Sequence, residues 1–158
     1  RSPLWERLAL PSEDTRRRIT LELATFKEID LFQYLKDNHY PDLVKSKGNY
    51  ATFDCYSDAS GIYAELKCRR THYPDLLIEK GKWDNLLSHA NSKDLAPWYI
   101  NSTPNGIYAF PILEESAPAW SNRMMPVTTD FANNKKIEKL VGFLDIADGI
   151  VLYADLWV

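Results

Sequence analysis

Residues 50–70 of the chain read YATFDCYSDASGIYAELKCRR, and this stretch predicts the centre of the fold. The segments Tyr50–Tyr56 and Ile62–Arg69 are rich in residues that favour strands. Between them lies Ser57-Asp-Ala-Ser-Gly61, a composition typical of a turn. Two strand-forming segments joined by a short turn usually pair with each other. We therefore predict an antiparallel β-hairpin over this stretch.

The length of the turn determines which residues of the two strands face one another. With a four-residue loop at Asp58–Gly61, Ser57 lies opposite Ile62, and the residue numbers of every opposed pair add up to 119. A loop one residue longer or shorter, without a bulge, would mix apolar and charged side chains on both faces. The predicted register gives one wholly apolar face, which consists of Ala51, Phe53, Cys55, Ala64, Leu66 and Cys68.

The other face of the predicted hairpin carries charged residues. Asp54 lies directly opposite Glu65, and Lys67 follows two residues along on the same face. Facing carboxylates repel one another unless a positive charge lies between them, and their hard oxygens suit Mg²⁺ or Mn²⁺. We therefore predict a divalent-cation site at Asp54 and Glu65, where the Lys67 ammonium balances charge or orients a water. The alternative is an ordinary exposed sheet face with a cross-strand salt bridge.

The remaining sequence predicts one domain, residues 1–158, with a mixed sheet and helices. It contains no internal repeat, linker or low-complexity tract. No strand is predicted between Asn38 and Tyr50, and residues 114–135 are predicted to form a long loop. The other predicted elements are helices at Glu28–Asn38 and Lys80–Ala90, strands at Pro97–Asn101 and Gly106–Phe110, and a C-terminal hairpin of two strand-like runs within Val141–Val158.

This arrangement resembles the PD-(D/E)XK nuclease superfamily, whose signature is an acidic residue on one strand and then Glu or Asp, any residue and Lys on the next. Glu65-Leu66-Lys67 matches the second half, and Asp54 matches the acidic half in type, spacing and predicted strand. The resemblance covers roughly residues 28–112. It implies a restriction-endonuclease-like fold of the α/β (α+β mixed sheet) class, with an α-β-β-β-α-β core and here a C-terminal β extension. It also implies that the main-chain carbonyl of Leu66 completes the metal coordination.

Other acidic residues compete with Asp54 for the first half of the signature. Asp54 is not preceded by proline, whereas Pro41-Asp42 and Pro74-Asp75 are true Pro-Asp pairs. Asp75 follows the Glu-x-Lys triplet, which is the wrong order, and Asp42 falls in a predicted loop, so Asp54 is preferred. Glu22 is a candidate for an extra metal carboxylate from the preceding element, as in some relatives, although a surface carboxylate is the simpler interpretation.

Basic residues follow the Glu-x-Lys triplet and form a local positive stretch in an acidic chain. Tyr73 fits either base stacking or core packing. Trp83, spaced with other apolar residues as on one helix face, is predicted to lie in the core. For each basic residue the alternative is a solvated surface charge. The residues predicted to contact nucleic acid are Arg69, Arg70, Lys80 and Lys82.

The composition excludes several classes of protein. The chain has 158 residues, 45% of them hydrophobic, which is enough to bury a core. Its 19 Lys and Arg against 22 Asp and Glu give a net charge of −3, which argues against binding nucleic acid by bulk charge. Cys55 and Cys68 are too few for a disulfide framework or a cysteine zinc site. The absence of a long apolar run and of a signal-peptide pattern predicts a soluble, cytoplasmic protein without a membrane partner.

Together these features predict a Mg²⁺- or Mn²⁺-dependent nuclease that hydrolyses phosphodiester bonds, in DNA rather than RNA. Asp54 and Glu65 would hold the metal, and Lys67 would assist the attacking water or the transition state. The alternative is a catalytically inactive nuclease-fold module that binds nucleic acid or a protein partner. A third interpretation is a protein unrelated to nucleic acid. Several relatives act as dimers, so the resemblance also allows for a homodimer, and endonuclease and exonuclease both stay open.

Overall fold

The computed structural model describes residues 23–47, 52–127 and 135–154, and within them the chain forms two helices of at least two turns and nine strands. No helix in these ranges combines the length and the hydropathy needed to cross a membrane. Single turns of 3₁₀ helix cover Glu114–Ser116 and Ile146–Asp148. The helices and strands are α1 (Glu28–Asn38), β1 (Val44–Lys45), β2 (Phe53–Ser57), β3 (Ile62–Cys68), β4 (Asp75–Glu79), α2 (Lys80–Ser92), β5 (Ala96–Thr103), β6 (Gly106–Pro111), β7 (Ser121–Pro126), β8 (Lys136–Asp145) and β9 (Ile150–Ala154).

The strands form two sheets. A six-stranded sheet has the order β1-β2-β3-β5-β6-β9, and a three-stranded sheet has the order β4-β8-β7. Only the β3–β5 pair is parallel among the described pairs, because β4 and α2 lie between these two strands in the sequence and provide the crossover that parallel strands require. The result is a mixed α+β fold with few helices, which is the predicted fold class.

The β2–β3 hairpin has the predicted register. Ser57 pairs with Ile62 and Phe53 pairs with Leu66, as a four-residue loop requires. Gly61 closes the loop with φ +68°, a left-handed conformation that glycine adopts without a steric penalty. The apolar and charged faces of β2 and β3 are therefore the predicted ones, whereas Tyr50 and Ala51 of the predicted first strand lie outside the described residues.

The helices cover opposite faces of the six-stranded sheet. The apolar hairpin face packs on α1, where Leu31 and Leu35 lie one turn apart and are fully buried. The Asp30 carboxylate accepts a hydrogen bond from the Lys27 backbone N–H at 2.9 Å and stabilises the start of this helix. On the other side α2 contributes Trp83 and Leu86 to a second core. The charged hairpin face lies on the α2 side.

The segment between Asn38 and Tyr50 differs from the prediction. Between Asn38 and Tyr50 the chain forms β1, which has two exposed residues and pairs with β2. A strand of this length shows no alternating pattern, so the sequence contains no signal for it.

The prediction for the C-terminal part was wrong in two respects. Residues 114–135 are not entirely loop, because β7 forms at Ser121–Pro126. This strand is almost wholly exposed, and it depends on six backbone pairings with β8 rather than on apolar burial. The two runs in Val141–Val158 do not form a hairpin, since β8 lies in the three-stranded sheet and β9 pairs with β6.

Candidate active site

The hairpin register brings two carboxylates together beside α2. Asp54 on β2 pairs directly with Glu65 on β3, and paired residues project from the same face. Both side chains line a cavity of about 480 Å³, together with Lys82 and His89 of α2. The two predicted metal carboxylates therefore share one cavity.

Glu65 is the more buried of these carboxylates, with 5% of the residue exposed. Its Oε1 lies 3.9 Å from the Lys82 ammonium, while Oε2 is buried and has no hydrogen-bond partner among the described residues. Burial raises the pKa of Glu65 to about 7, with Lys82 opposing the rise and Asp54 adding to it. A bound cation would favour the ionised form of the Glu65 carboxylate, and the unpartnered Oε2 would serve as its ligand.

Asp54 is oriented by two neighbouring side chains. The Tyr63 hydroxyl donates a hydrogen bond of 2.8 Å to Asp54 Oδ2. His89 Nδ1 lies 3.5 Å from the same oxygen and 3.4 Å from the Tyr63 hydroxyl. Burial raises the pKa of Tyr63 to about 12, so the phenol stays protonated and remains a donor. Because both contacts are to Oδ2, Oδ1 can face a ligand in the cavity.

Lys67 projects from the same face as Glu65 but borders a second cavity, of about 380 Å³. Lys82 lines both cavities, so they adjoin at this side chain. Burial lowers the pKa of Lys67, and the charges of Lys82 and Arg69 lower it further. Lys67 forms no ion pair within the described ranges. The site thus combines two carboxylates in one cavity with an ammonium in the next that has no ion pair among the described residues.

The carboxylate oxygens of Asp54 and Glu65 fit a hard divalent cation. In the part of the chain that the structure describes, no group of three or more His, Cys, Asp or Glu side chains is arranged to hold a metal ion. A structural zinc site needs about four such ligands, whereas Mg²⁺ commonly takes one or two carboxylates and keeps several waters. The Leu66 side chain is buried in the α1 core and has no donor atom, so the role predicted for this residue can fall only to its main-chain carbonyl.

Arg69 is largely engaged within the protein. Its guanidinium donates hydrogen bonds to Asn101 Oδ1 at 3.0 Å, to the Tyr99 hydroxyl at 3.1 Å and to the Leu77 carbonyl. These contacts join β3, β4 and β5 next to Lys67. Arg69 therefore has a structural role, and a phosphate contact through its remaining donors stays a prediction.

The other basic residues predicted to contact nucleic acid differ in their surroundings. Lys80 forms an ion pair of 2.9 Å with Asp84 one turn along α2. Lys82 faces the cavity and approaches Glu65, whereas Arg70 is exposed in the loop after β3. Unlike Lys80 and Lys82, Arg70 forms no ion pair among the described residues.

The competing acidic residues lie away from this site. Asp42 accepts hydrogen bonds from Ser57 Oγ at 2.5 Å and from the Ala59 N–H at 3.0 Å, so it fastens the hairpin turn. The Ser57 hydrogen bond is the main cause that lowers the pKa of Asp42. Asp75 begins β4 and is exposed. Glu22 lies outside the described residues.

The predicted core residues are found in the core. Trp83 is 4% exposed and packs edge-on against Trp120, with the ring centroids 5.6 Å apart. Cys55 and Cys68 are free thiols on the apolar side of the hairpin, and burial raises the pKa of both to about 12. Such thiols are poor nucleophiles. Tyr73, in contrast, is 58% exposed.

Sequence reasoning missed three contacts around the carboxylates. Tyr63 lies two residues before Glu65 on the same face, so the predicted register already contained this signal. Lys82 and His89 are seven residues apart, which puts them on one face of a helix two turns apart. That spacing was a usable signal, but the orientation of α2 over the hairpin was not available from the sequence.

A further carboxylate reaches this region from α1. Glu28 Oε1 accepts a hydrogen bond of 3.5 Å from the Cys68 backbone N–H, and the Glu28 charge raises the pKa of Lys67, against the lowering effect of burial. The preceding element thus contributes Glu28 beside Lys67. No sequence pattern indicates this, because it depends on where the start of α1 lies over the end of β3.

Comparison with known proteins identifies the fold. No protein-family model matches the chain, and no curated protein matches it. Among solved structures, it is similar to Hjc, a Holliday junction resolvase from the archaeal hyperthermophile Archaeoglobus fulgidus. The TM-score is 0.50 at 14% sequence identity, and the match covers 79% of this chain and 93% of the resolvase. This likeness concerns the fold, and it confirms the predicted restriction-endonuclease-like fold.

Proposed function

We propose that this protein is a metal-dependent nuclease that hydrolyses phosphodiester bonds in DNA. The observation that carries the proposal is the direct pairing of Asp54 with Glu65 in one cavity, with Lys67 next along the same face. The similarity in fold to a Holliday junction resolvase supports DNA as the substrate. Endonuclease and exonuclease activity both remain compatible with this site.

Asp54 and Glu65 would hold the divalent cation, and the Leu66 carbonyl is proposed as a further ligand. The buried Oε2 of Glu65, which has no hydrogen-bond partner among the described residues, supports this assignment. When bound, Mg²⁺ or Mn²⁺ supplies Lewis-acid polarisation of the phosphate and lowers the pKa of a water. Tyr63 keeps Asp54 in a fixed orientation, which reduces the conformational freedom lost when a ligand binds.

Lys67 would act on the reacting phosphate. Its ammonium has no ion pair within the described ranges and therefore remains available to a phosphate oxygen or to a water. In a partly buried site a cation stabilises negative charge that develops in the transition state more strongly than in water. Lys82 lines both cavities and adds positive charge where they adjoin.

The decisive experiment compares DNA cleavage with and without metal. Plasmid, linear and branched DNA are incubated with Mg²⁺, Mn²⁺ or a chelator, using the wild-type protein, Asp54→Asn and Asp58→Asn. Asp58 is an exposed carboxylate in the turn of the same hairpin and provides a matched control. We expect metal-dependent cleavage by the wild type and Asp58→Asn, and none by Asp54→Asn. Cleavage that persists in the chelator or in Asp54→Asn would refute the proposal.

The alternative is an inactive nuclease-fold module. It is favoured by the Lys82 ammonium, which lies 3.9 Å from Glu65 and supplies a positive charge there without a metal. Calorimetric titration with Mn²⁺ distinguishes the two: binding that is lost in Asp54→Ala supports the nuclease, and the absence of binding in both proteins supports the inactive module. The homodimer stays a prediction, which sedimentation velocity tests directly.

A further inference from the structure

The surface beside Lys67 continues into a groove along the three-stranded sheet. The 380 Å³ cavity shares Arg69 and Leu77 with a third cavity, of about 510 Å³, that also includes Tyr73 and Arg123. These two cavities together form what we call the lateral groove, which leads from Lys67 through Arg69 to Tyr73 and Arg123. Since Lys82 joins it to the carboxylate cavity, the groove begins at the candidate active site.

One face of the three-stranded sheet forms a wall of the lateral groove. Leu77 on β4 pairs with Phe143 on β8, so their side chains share a face. Arg123 on β7 pairs with Lys139, which is two pleats from Phe143 and lies on that same face. The Arg123 guanidinium lies 4.7 Å from the centroid of the Phe143 ring. This contact presents a flat, positively charged surface to the groove.

The lateral groove is strongly basic although the chain is acidic. Its lining contains six cationic side chains and two carboxylates, a net charge of +4, whereas the whole chain has −3. One carboxylate, Glu79, is paired with Lys139 at 2.7 Å. A basic groove that starts at a phosphodiester-cleaving site is complementary to the backbone of the substrate beyond the cleaved bond. The cations are Lys67, Arg69, Arg70, Lys82, Arg123 and Lys139.

Tyr73 distinguishes a single strand from a duplex as the occupant of this groove. Its ring is 58% exposed, in the same cavity as Arg70 and Arg123. An aromatic ring on such a surface offers stacking to a base, and only an unpaired base has a free face to stack on it. A duplex would use the cations but leave the ring without a partner. An exposed aromatic ring among basic side chains is typical of a surface that binds single strands.

We propose that the lateral groove binds an unpaired strand of the nucleic-acid substrate, with Tyr73 stacking on a base and with Arg70 and Arg123 binding its phosphates. This inference rests on the proposed nuclease function, which it extends to substrates that carry a single-stranded segment next to the scissile bond. The three-stranded sheet then serves as a substrate-binding element.

The test measures DNA binding in the presence of a chelator, which prevents metal-dependent cleavage of the DNA. Fluorescence anisotropy is recorded with a single strand of about 15 nucleotides and with its duplex, over a range of salt concentrations. A 2-aminopurine base in the strand reports stacking directly through quenching. The variants are Tyr73→Ala, Tyr73→Phe and Arg123→Ala. Met124→Ala and Lys136→Ala are matched controls, because both side chains are exposed and lie on the opposite face of the three-stranded sheet.

We expect Tyr73→Ala to weaken single-strand binding about 5- to 100-fold and to relieve the quenching, while Tyr73→Phe keeps both within about twofold. Arg123→Ala should weaken binding and reduce the slope of log affinity against log salt by about 0.7. The controls should bind as the wild type does. Unchanged affinity in Tyr73→Ala, equal losses in the controls, or tighter binding of the duplex would overturn the inference.

The two proposals fail in distinguishable ways. If the wild type cleaves no DNA with any metal while Tyr73-dependent binding persists, the nuclease proposal fails and the strand-binding groove stands. If cleavage occurs but binding does not depend on Tyr73, the groove assignment alone fails.

Discussion

The β2–β3 hairpin has two buried faces that are made from alternate residues of the same strands. On one face Cys55 and Leu66 are 0% and 2% exposed and pack against α1. On the other face Glu65 is 5% exposed, and one of its oxygens has no hydrogen-bond partner among the described residues. Burial of the first face stabilises the fold through the hydrophobic effect, whereas burial of a carboxylate costs free energy. The burial of this carboxylate despite its cost is one reason why we propose the charged face as the ligand site.

The largest expected effect concerns activity on the charged face. Replacing Lys67 with Ala should lower the cleavage rate by about 10²- to 10³-fold, because the transition state loses a positioned positive charge. The midpoint of thermal unfolding should be retained or raised, since burial already disfavours this ammonium. Single-turnover kinetics and thermal unfolding measure the two quantities. Lys45→Ala, on the exposed edge strand β1, is the control, and full activity of Lys67→Ala would contradict the assignment.

A substitution on the apolar face should lower stability and leave the cleavage rate unchanged. Leu66→Ala removes a buried side chain and should reduce the free energy of unfolding by about 2–4 kcal/mol, as measured by urea denaturation. The folded fraction should keep its cleavage rate, because the main-chain carbonyl of Leu66 remains. Leu66→Met, which nearly conserves the volume, should cost less than about 1.5 kcal/mol. A loss of activity without a loss of stability would show that the side chain itself acts in catalysis.

Glu65→Gln should separate stability from function most clearly. The folded-state pKa of Glu65, about 7, lies above its value in the unfolded chain. At pH values between these two pKa values, the folded state therefore binds more protons than the unfolded state. Stability is therefore highest below the unfolded-state pKa and is lost as pH rises through about 7. Removing the charge should raise the free energy of unfolding by about 1–3 kcal/mol at alkaline pH and change little in acid.

Urea denaturation at both ends of this pH range, without divalent metal, provides the measurement. Adding Mg²⁺ should stabilise the wild type at alkaline pH, because the cation binds the ionised carboxylate, and should stabilise Glu65→Gln less. Asp58→Asn is the matched control for a carboxylate in the same hairpin. A wild type that is more stable than Glu65→Gln at alkaline pH without metal would refute this account of the charged face.

The smallest effect is expected at Tyr63. Tyr63→Phe removes the hydrogen bond to Asp54 and should lower the cleavage rate about 5- to 10-fold, roughly 1 kcal/mol, with weaker Mn²⁺ binding. Tyr56→Phe is a matched control, because Tyr56 is the cross-strand partner of Tyr63 and its hydroxyl makes no hydrogen bond within the described residues. Equal effects of the two substitutions would mean that Tyr63 does not position Asp54.

The two sheets differ in how well the sequence predicted them. The pairing of β2 with β3 was predictable, since alternation and turn composition together allow only one register. β7 was missed because its residues are exposed and carry no apolar period. The lateral groove was equally invisible, because it joins β3 and the loop after it to β7 and β8, which are distant in the sequence.

The sequence by itself determined the hairpin, its register and the shared face of Asp54, Glu65 and Lys67, because side-chain direction in a strand follows directly from position. Only the tertiary structure decided the depth at which Glu65 is buried and the approach of Lys82 and His89 to the carboxylates. These properties depend on how α2 packs on the sheet. Such packing is fixed by contacts between distant parts of the chain, for which no local pattern exists.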